Sequence, residues 1–463
     1  MSFLVCLGAL AFLMFVAYRG FSVILFAPVA ALGAVLLTDP SAVPVLYTGL
    51  FMDKMVGFLK LYFPLFLLGA VFGKVIELSG FSRAIVSAII KVLGPSQAIL
   101  AVVLVGAVLT YGGVSLFVVV FAVYPFGAEL FRQVGIPKRL LPATVALGAF
   151  SFTMDTLPGT PQIQNIIPTT FFHTTAYAAP ILGFVGAAFM LATGVAYLDV
   201  RRRQAARAGE GYGEGHTNEP AALADEAAIH PLVAILPLVV VGVANLALGW
   251  GIPRFYGETA RALLTPGATE VSLAVNSVSA IWSVAGALVL GILTVLVFAF
   301  RRVAAQFANG TQSAVAGALL AGLNTASEYG FGAVIAALPG FLVIRNALGA
   351  IPNPLVNEAI SVTTLAGITG SASGGLSIAL AAMSDQFIAA AHAAGIPLEV
   401  MHRVASMASG GMDTLPHNGA VITLLAVCGL THRQSYGDIF AITLLKTAAV
   451  FFVIGFYYLT GLY

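Results

Sequence analysis

The run AYAAPILGFVGAAFMLATGVAYL, Ala176 to Leu198, contains no charged residue. It is long enough to cross a bilayer as a helix, since about 20 apolar residues span the hydrocarbon core. A second such run, PLVAILPLVVVGVANLALGW from Pro231, follows beyond one polar segment, and others recur from end to end of the chain. Hydrophobic residues make up 59% of the sequence and charged residues 9%, against roughly 25% charged in an ordinary soluble domain. One soluble core cannot absorb that much apolar material. The expected fold class is therefore an all-α polytopic membrane protein, because in lipid every backbone group must be satisfied internally and runs of this length suit helices rather than barrel strands.

The formal net charge is +2, and the basic residues sit in short clusters between apolar runs, so they form no face for nucleic acid. Those clusters report topology instead. Cys6 and Cys428 lie in apolar segments at opposite ends of the chain, match no metal or redox spacing, and are expected to pack. The first apolar run starts at Phe3 with no basic region before it, so the first span is expected to be retained rather than cleaved.

Spans are expected at 3–18, 21–38 and 57–78. A Gly-interrupted region follows at 96–131, a Pro-interrupted span at 141–171 and an intact span at 177–198. Residues 199–230, rich in Gly, Glu and Ala and poor in bulky apolar residues, are expected to be a disordered linker. Beyond it, spans are expected at 231–250, 277–300 and 313–343, with a Gly/Ser-interrupted region at 355–392, a second Pro-interrupted span at 401–428 and a last span at 437–461. This divides the chain into N-terminal spans 1–56, a first repeat 57–198, the linker 199–230, linking spans 231–312 and a second repeat 313–463.

Three anchors tie the repeats together. GGVS at Gly112 pairs with GGLS at Gly374, GIP at Gly135 with GIP at Gly395, and MDTLP at Met154 with MDTLP at Met412. The separations are 262, 260 and 258 residues, and three matches in one order with a slowly drifting offset argue for internal duplication. Arg201, Arg202 and Arg203 place residue 200 on the cytoplasmic side. Counting outward, Lys138 and Arg139 fall on that side, as do Arg301 and Arg302. If each Gly-interrupted region is a re-entrant hairpin, the repeats enter the membrane from opposite sides and are inverted. Inverted repeats with interrupted helices near mid-membrane are how many secondary transporters build a binding site.

The chemistry is expected at the interruptions. Pro158 and Pro416 cannot donate a backbone hydrogen bond, which frees the carbonyls of Met154 and Met412; in lipid such a carbonyl must be met by protein, water or an ion. Asp155 and Asp413 lie beside them, followed by Thr156 and Thr414. An ionisable side chain within a span is by default a functional candidate, here for ion coupling. The structural alternative is that each Asp caps a half-helix starting at its Thr-Leu-Pro. In LTYGGVS and ITGSASGGLS, residues Gly112, Gly113, Ser115, Ser371, Ser373 and Gly374 would let backbone amides and hydroxyls approach an anion, or would only let helices pack closely. After the first break come Thr160, Gln162, Gln164 and Asn165, and after the second His417 and Asn418. His417 could take a proton, bind a carboxylate or be structural. Glu328 is a further coupling candidate. No metal motif, nucleophile elbow, P-loop or dinucleotide fingerprint occurs, so neither an enzyme nor a cofactor is expected.

From Tyr111 to Phe172, YGGVSLFVVVFAVYPFGAELFRQVGIPKRLLPATVALGAFSFTMDTLPGTPQIQNIIPTTFF, the sequence resembles bacterial permeases of the gluconate permease (GntP) family, within the larger ion transporter superfamily. The resemblance implies import of a small hydroxylated or amino monocarboxylate with protons, across the bacterial inner (plasma) membrane. It also implies a homodimer in which fixed scaffold spans flank a moving, elevator-type transport domain. By position it implicates Gly112, Gly113, Ser115, Asp155, Thr156 and Thr160, with Ser371, Ser373, Gly374, Asp413, Thr414 and His417. The chain lacks the gluconate permeases' histidine- and proline-rich HGFLPPHPGP stretch at the first break, and is more similar to the subgroup for short hydroxy acids, with 3-hydroxybutyrate the first expectation. Sodium in place of protons stays open. Two alternatives remain: a cation/proton antiporter using Asp155 and Asp413, and an intramembrane aspartyl protease. The paired Gly/Ser hairpins count against the first. The missing Gly-x-Gly-Asp context counts against the second.

Overall fold

The computed structural model describes residues 2–19, 21–114, 116–216, 218–219, 229–262, 270–416 and 418–463. In the first half, α1 (Ser2–Tyr18) and α2 (Val23–Thr38) pack together. The single turn α3 (Val43–Val45) and a π-helical turn (Leu46–Phe51) lead into the long α4 (Met52–Ser79). Next come α5 (Phe81–Leu93), α6 (Ala98–Tyr111) and α7 (Leu116–Val134), then α8 (Leu141–Ala149), the one-turn α9 (Phe152–Asp155), α10 (Ile163–Phe172) and α11 (Pro180–Arg207). The second half follows after the segment beyond α11. It runs α12 (Pro231–Tyr256), a two-stranded antiparallel ribbon β1 (Thr259–Ala262) and β2 (Val271–Ala274), and α13 (Val275–Ala337). After these come α14 (Phe341–Gly349), α15 (Pro354–Thr369), α16 (Ala372–Ala393), α17 (Leu398–Ser409), α18 (Gly419–Cys428) and α19 (His432–Thr460).

Among the described residues, six helices are long and apolar enough to cross a bilayer, or seven if the bent pair formed by α5 and the segment Pro95–Tyr111 counts as one span. That pair turns through 106° at the break, where Gly94 takes φ +73°. The result is a polytopic all-α protein with little sheet, whose helices are broken from Thr156 to Gln162 and again beyond Ser409.

Helix α13 is two legs. Ala299 has non-helical dihedrals (φ −135°, ψ 24°). Gly291 packs on Phe72 and Gly310 on Leu78 and Lys74, although a straight helix would hold those two glycines about 28 Å apart. The chain therefore reverses at Ala299, and the second leg runs antiparallel to α4, with Gly322 beside Phe63 and Gly330 beside Phe51. These paired long helices form one wall of the molecule. Opposite them the hairpin arms and broken helices pack through small residues, as helices in lipid do: a Cβ at Gly148 of α8 would collide with the Val103 carbonyl of α6.

Two of the three basic clusters used for topology meet in space. Arg139 and Arg201 both pair with Asp438, at 3.1 and 2.6 Å, and Arg302 lies beside Gly80 at the end of α4. The segment expected to be a disordered linker departs from that expectation where it is described. Helix α11 continues through Arg207, and the residues beyond it fold back onto the protein. The Lys138 amide donates to the Tyr212 carbonyl at 3.1 Å, Glu210 accepts two bonds from Arg139, and Asn218 Nδ2 donates to Val427 O at 2.5 Å. Composition alone hides this, because the partners are Lys138, Arg139 and Val427, far away in sequence.

Candidate functional site

The two interruptions of each repeat converge on one cavity of about 1150 Å³. The first repeat contributes Gly113 from the hairpin tip and Gln162 and Gln164 from beyond the broken helix. The second contributes Ser371 and Ser373 from its hairpin tip and Asp413, Thr414 and Asn418 from its break. The second leg of α13 closes the space with Asn324, Thr325 and Glu328. Leu116, Ile163, Ala372 and Gly419 also line it, and these are the first residues of α7, α10, α16 and α18. Four helices therefore begin at one space, and their N-terminal dipoles favour negative charge there.

The second hairpin turns at Gly370, where φ is +65°. Ser371 then caps α16 by accepting from the Gly374 amide at 3.1 Å, and Ser373 Oγ lies 3.2 Å from Thr325 Oγ1. The anchor at Gly374 is thus not the turn that its pairing with Gly112 implies: Gly374 and Gly375 lie inside α16. A Cβ on the first would strike Glu328 Oε2, and one on the second the Ala366 backbone. The repeats align in sequence here but turn four residues apart.

The first break is a non-helical stretch from Thr156 to Gln162, and side chains meet several backbone acceptors in it and in the turn before it. Thr160 Oγ1 donates to Thr153 O at 2.8 Å, Ser406 Oγ to Asp155 O at 2.6 Å, and Arg403 Nη1 to Thr156 O at 2.9 Å. Gln162 Nε2 reaches back to Thr110 O at 2.7 Å, tying the break to the hairpin tip. Asn165 is fully buried, donates to Thr160 O and Ala176 O, and accepts from Arg403. In the second break, Thr447 donates to Gly411 O and Tyr436 to Thr414 O, while Thr414 Oγ1 meets Thr443 Oγ1 at 2.6 Å.

Neither aspartate caps a half-helix. Asp155 ends α9, eight residues before α10 begins, and α18 is capped by Asn418, which accepts from the Ala420 and Val421 amides at 2.6 and 3.0 Å. Asp413 instead pairs with Lys446 at 2.6 Å, both nearly fully buried. Asp155 has no solvent exposure; its Oδ1 accepts from Thr156 at 2.6 Å, and among the described residues its Oδ2 has no hydrogen-bond partner.

The structure therefore brings Gly113, Gln162, Ser371, Ser373, Asp413, Thr414, Asn418 and Glu328 to the cavity. It leaves Asp155, Thr156, Thr160 and Asn165 behind its wall as the scaffold of the first break. Gly112 packs on Leu238, and Gly374 seats Glu328. Ser115 and His417 lie outside the described residues. Sequence reading missed Asn324 and Thr325, and also the buried His402, Arg403, Lys446 and Glu358. The rule that singled out the aspartates, an ionisable group inside a span, applies equally to these last four.

Comparison with known proteins bears on this arrangement. A protein of Bacillus subtilis (strain 168) described as the uncharacterized transporter YxjC is 57% identical over 472 residues, covering 100% of each chain. The chain belongs to the family of that transporter. No family model matches it. Among solved structures, the YdaH transporter of Alcanivorax borkumensis, reported for its unusual topology, is similar with a TM-score of 0.51 over 92% of this chain and 90% of that one. At 14% identity that likeness concerns the fold. Membership of a transporter family accords with a multi-pass protein whose polar residues gather around an intramembrane cavity.

Proposed function

We propose that this transporter imports a small organic monocarboxylate by proton symport. The observation that carries the reading is the convergence of four helix N-termini on a cavity furnished with hydroxyls and amides. Backbone dipoles favour negative charge there, while Ser371, Ser373, Thr325, Asn324 and Gln162 offer hydrogen bonds to a hydroxylated body. Half-helix N-termini aimed at a substrate carboxylate are a recurrent device of secondary transporters. The resemblance to GntP permeases narrows the substrate to short hydroxy acids of the 3-hydroxybutyrate type. Asp413 and Glu328, both in the cavity wall, are the groups proposed to couple uptake to protons, with Asp155 acting from behind the wall.

The cavity extends to Lys74 and Glu77 near the end of α4, the end that lies beside Arg302. By the charge rule this is the cytoplasmic side, and the conformation is read as inward-facing. Hairpins and broken helices would move as one body against the α4–α13 wall, as an elevator, in a homodimer of the bacterial inner membrane.

Uptake into proteoliposomes tests this, with labelled 3-hydroxybutyrate, gluconate, lactate and D-serine under an inward proton gradient, with and without sodium. Uphill accumulation of one acid that a protonophore collapses is the expected result. Cation-dependent proton movement with no acid accumulated would replace it with the antiporter.

A further inference from the structure

We propose that the ammonium of Lys446 is the built-in cation of the acidic site between the two breaks, so that no metal cation binds there and transport runs without sodium. The proposal rests on reading the chain as a secondary transporter. Lys446 Nζ donates to Asp413 Oδ1 and to the Phe150 carbonyl, each at 2.6 Å. The first partner belongs to the break of the second repeat; the second lies just before the break of the first. Gly410 completes the enclosure, because a Cβ there would collide with Asp155 Oδ2 and come within 3.2 Å of Lys446 Cε. Carboxylates from both repeats and a helix-end carbonyl thus gather around one small positive group, itself 1% exposed.

Unwound carbonyls and half-helix C-terminal ends at the breaks of paired repeats are the donors with which many secondary carriers hold their coupling ion, and carboxylates beside them add negative charge. Here a lysine on α19, 33 residues beyond Asp413, supplies the charge on a tether. An ammonium is a compact point charge. A metal ion drawn to the same oxygens would lie close to it, where low dielectric makes like-charge repulsion large. Asp155 Oδ2, which has no hydrogen-bond partner among the described residues, is left for a proton.

Thermal unfolding of the purified protein in sodium chloride against choline chloride at equal ionic strength tests this without any transport substrate. It therefore stays decisive even if no acid is carried. The wild-type Tm is expected to be the same in both salts. Lys446→Gln is expected to show a saturable, sodium-specific rise in Tm that is lost when Asp413→Asn is added. If Lys446→Gln does not fold, Lys446→Ala is purified with ethylammonium or sodium; recovery by either, abolished by Asp413→Asn, supports the proposal. A sodium-specific rise in the wild type that Asp413→Asn removes would overturn it. So would a folded Lys446→Gln indifferent to sodium, or a Lys446→Ala that neither cation recovers.

Discussion

Arg403 Nη1 donates to the backbone carbonyl of Thr156 at 2.9 Å, across 247 residues of sequence. Through this bond the last helix before one break supports the floor of the other. Its Nε and Nη2 both reach Ala178 O, at 3.2 and 2.7 Å, and Nη1 also meets Asn165. The planar fork of a guanidinium suits several acceptors at once. An interrupted helix can sit inside a membrane protein because its freed carbonyls are answered in this way.

Arg403→Met is therefore expected to unfold at a much lower temperature, since each stranded buried acceptor costs about 1–3 kcal/mol and two backbone carbonyls lose their donor. Arg403→Lys, keeping charge but not the fork, should fall between. A thiol-reactive dye can follow unfolding, because both cysteines, Cys6 and Cys428, are buried and become accessible only as the fold opens. Equal melting of Arg403→Met and wild type would show that the first break does not depend on this side chain.

Ser373 and Thr325 join the second hairpin tip to the wall helix α13 at 3.2 Å, and both line the cavity. If both hydroxyls turn to a bound acid, each Ala substitution should raise the KM for uptake about fivefold, the worth of roughly one neutral hydrogen bond. The double variant should do less than the product of the two, because neighbours in one network are not additive. An unchanged KM in all three would remove the hairpin tip from the site.

How far the sequence foretold this arrangement depended on whether a signal was local. The repeats, the hairpins and the broken helices could be read because glycine, proline and long apolar runs act on the backbone where they stand. Gln162, Ser373 and Asp413 were placed for the same reason. The Asp413–Lys446 pair and the Arg403 fork were not, since a single sequence carries no trace of which distant helix faces which. Asp155 shows the converse: its type and position marked it, but only packing reveals that it stands behind the cavity wall. The shifted turn at Gly370 was hidden by a stronger match at Gly374, whose two glycines serve close packing instead.

Gly113 is expected to be intolerant of substitution. Its φ of +94° is a region that L-residues avoid, and a Cβ would come within 3.2 Å of both Leu288 and Pro161. Gly113→Ala should lose most uptake while the protein still reaches the membrane. Gly135→Ala, strained at φ +66° but with open space around it, should cost stability and leave KM unchanged. Similar loss of uptake in both would reduce Gly113 to a turn residue. Comparing KM and surface yield for the two variants separates these cases.

The strap beyond α11 offers a test outside the membrane. Its Glu210 accepts from Arg139 Nε and Nη2 at 2.7 and 2.9 Å, and that hydrogen bonding holds the carboxyl below its ordinary value of 4.5. A carboxyl whose folded-state pKa is depressed contributes stability at pH values above its ordinary value and loses that contribution as pH falls through the lowered one. Because both side chains are partly exposed, at 25% and 40%, the pair is worth less than about 1 kcal/mol, so the Tm of the whole protein should scarcely move. Local opening is where the change should appear. Amide exchange in residues 208–216 is expected to quicken, beyond its intrinsic pH dependence, as pH is lowered past 4.5, while exchange in α11 and α19 keeps its protection. Glu210→Gln should show the faster exchange already at neutral pH and lose the added acid response. Unaltered protection in that variant would mean that the strap is held by Tyr212, Asn218 and Glu219 without help from the Arg139 pair.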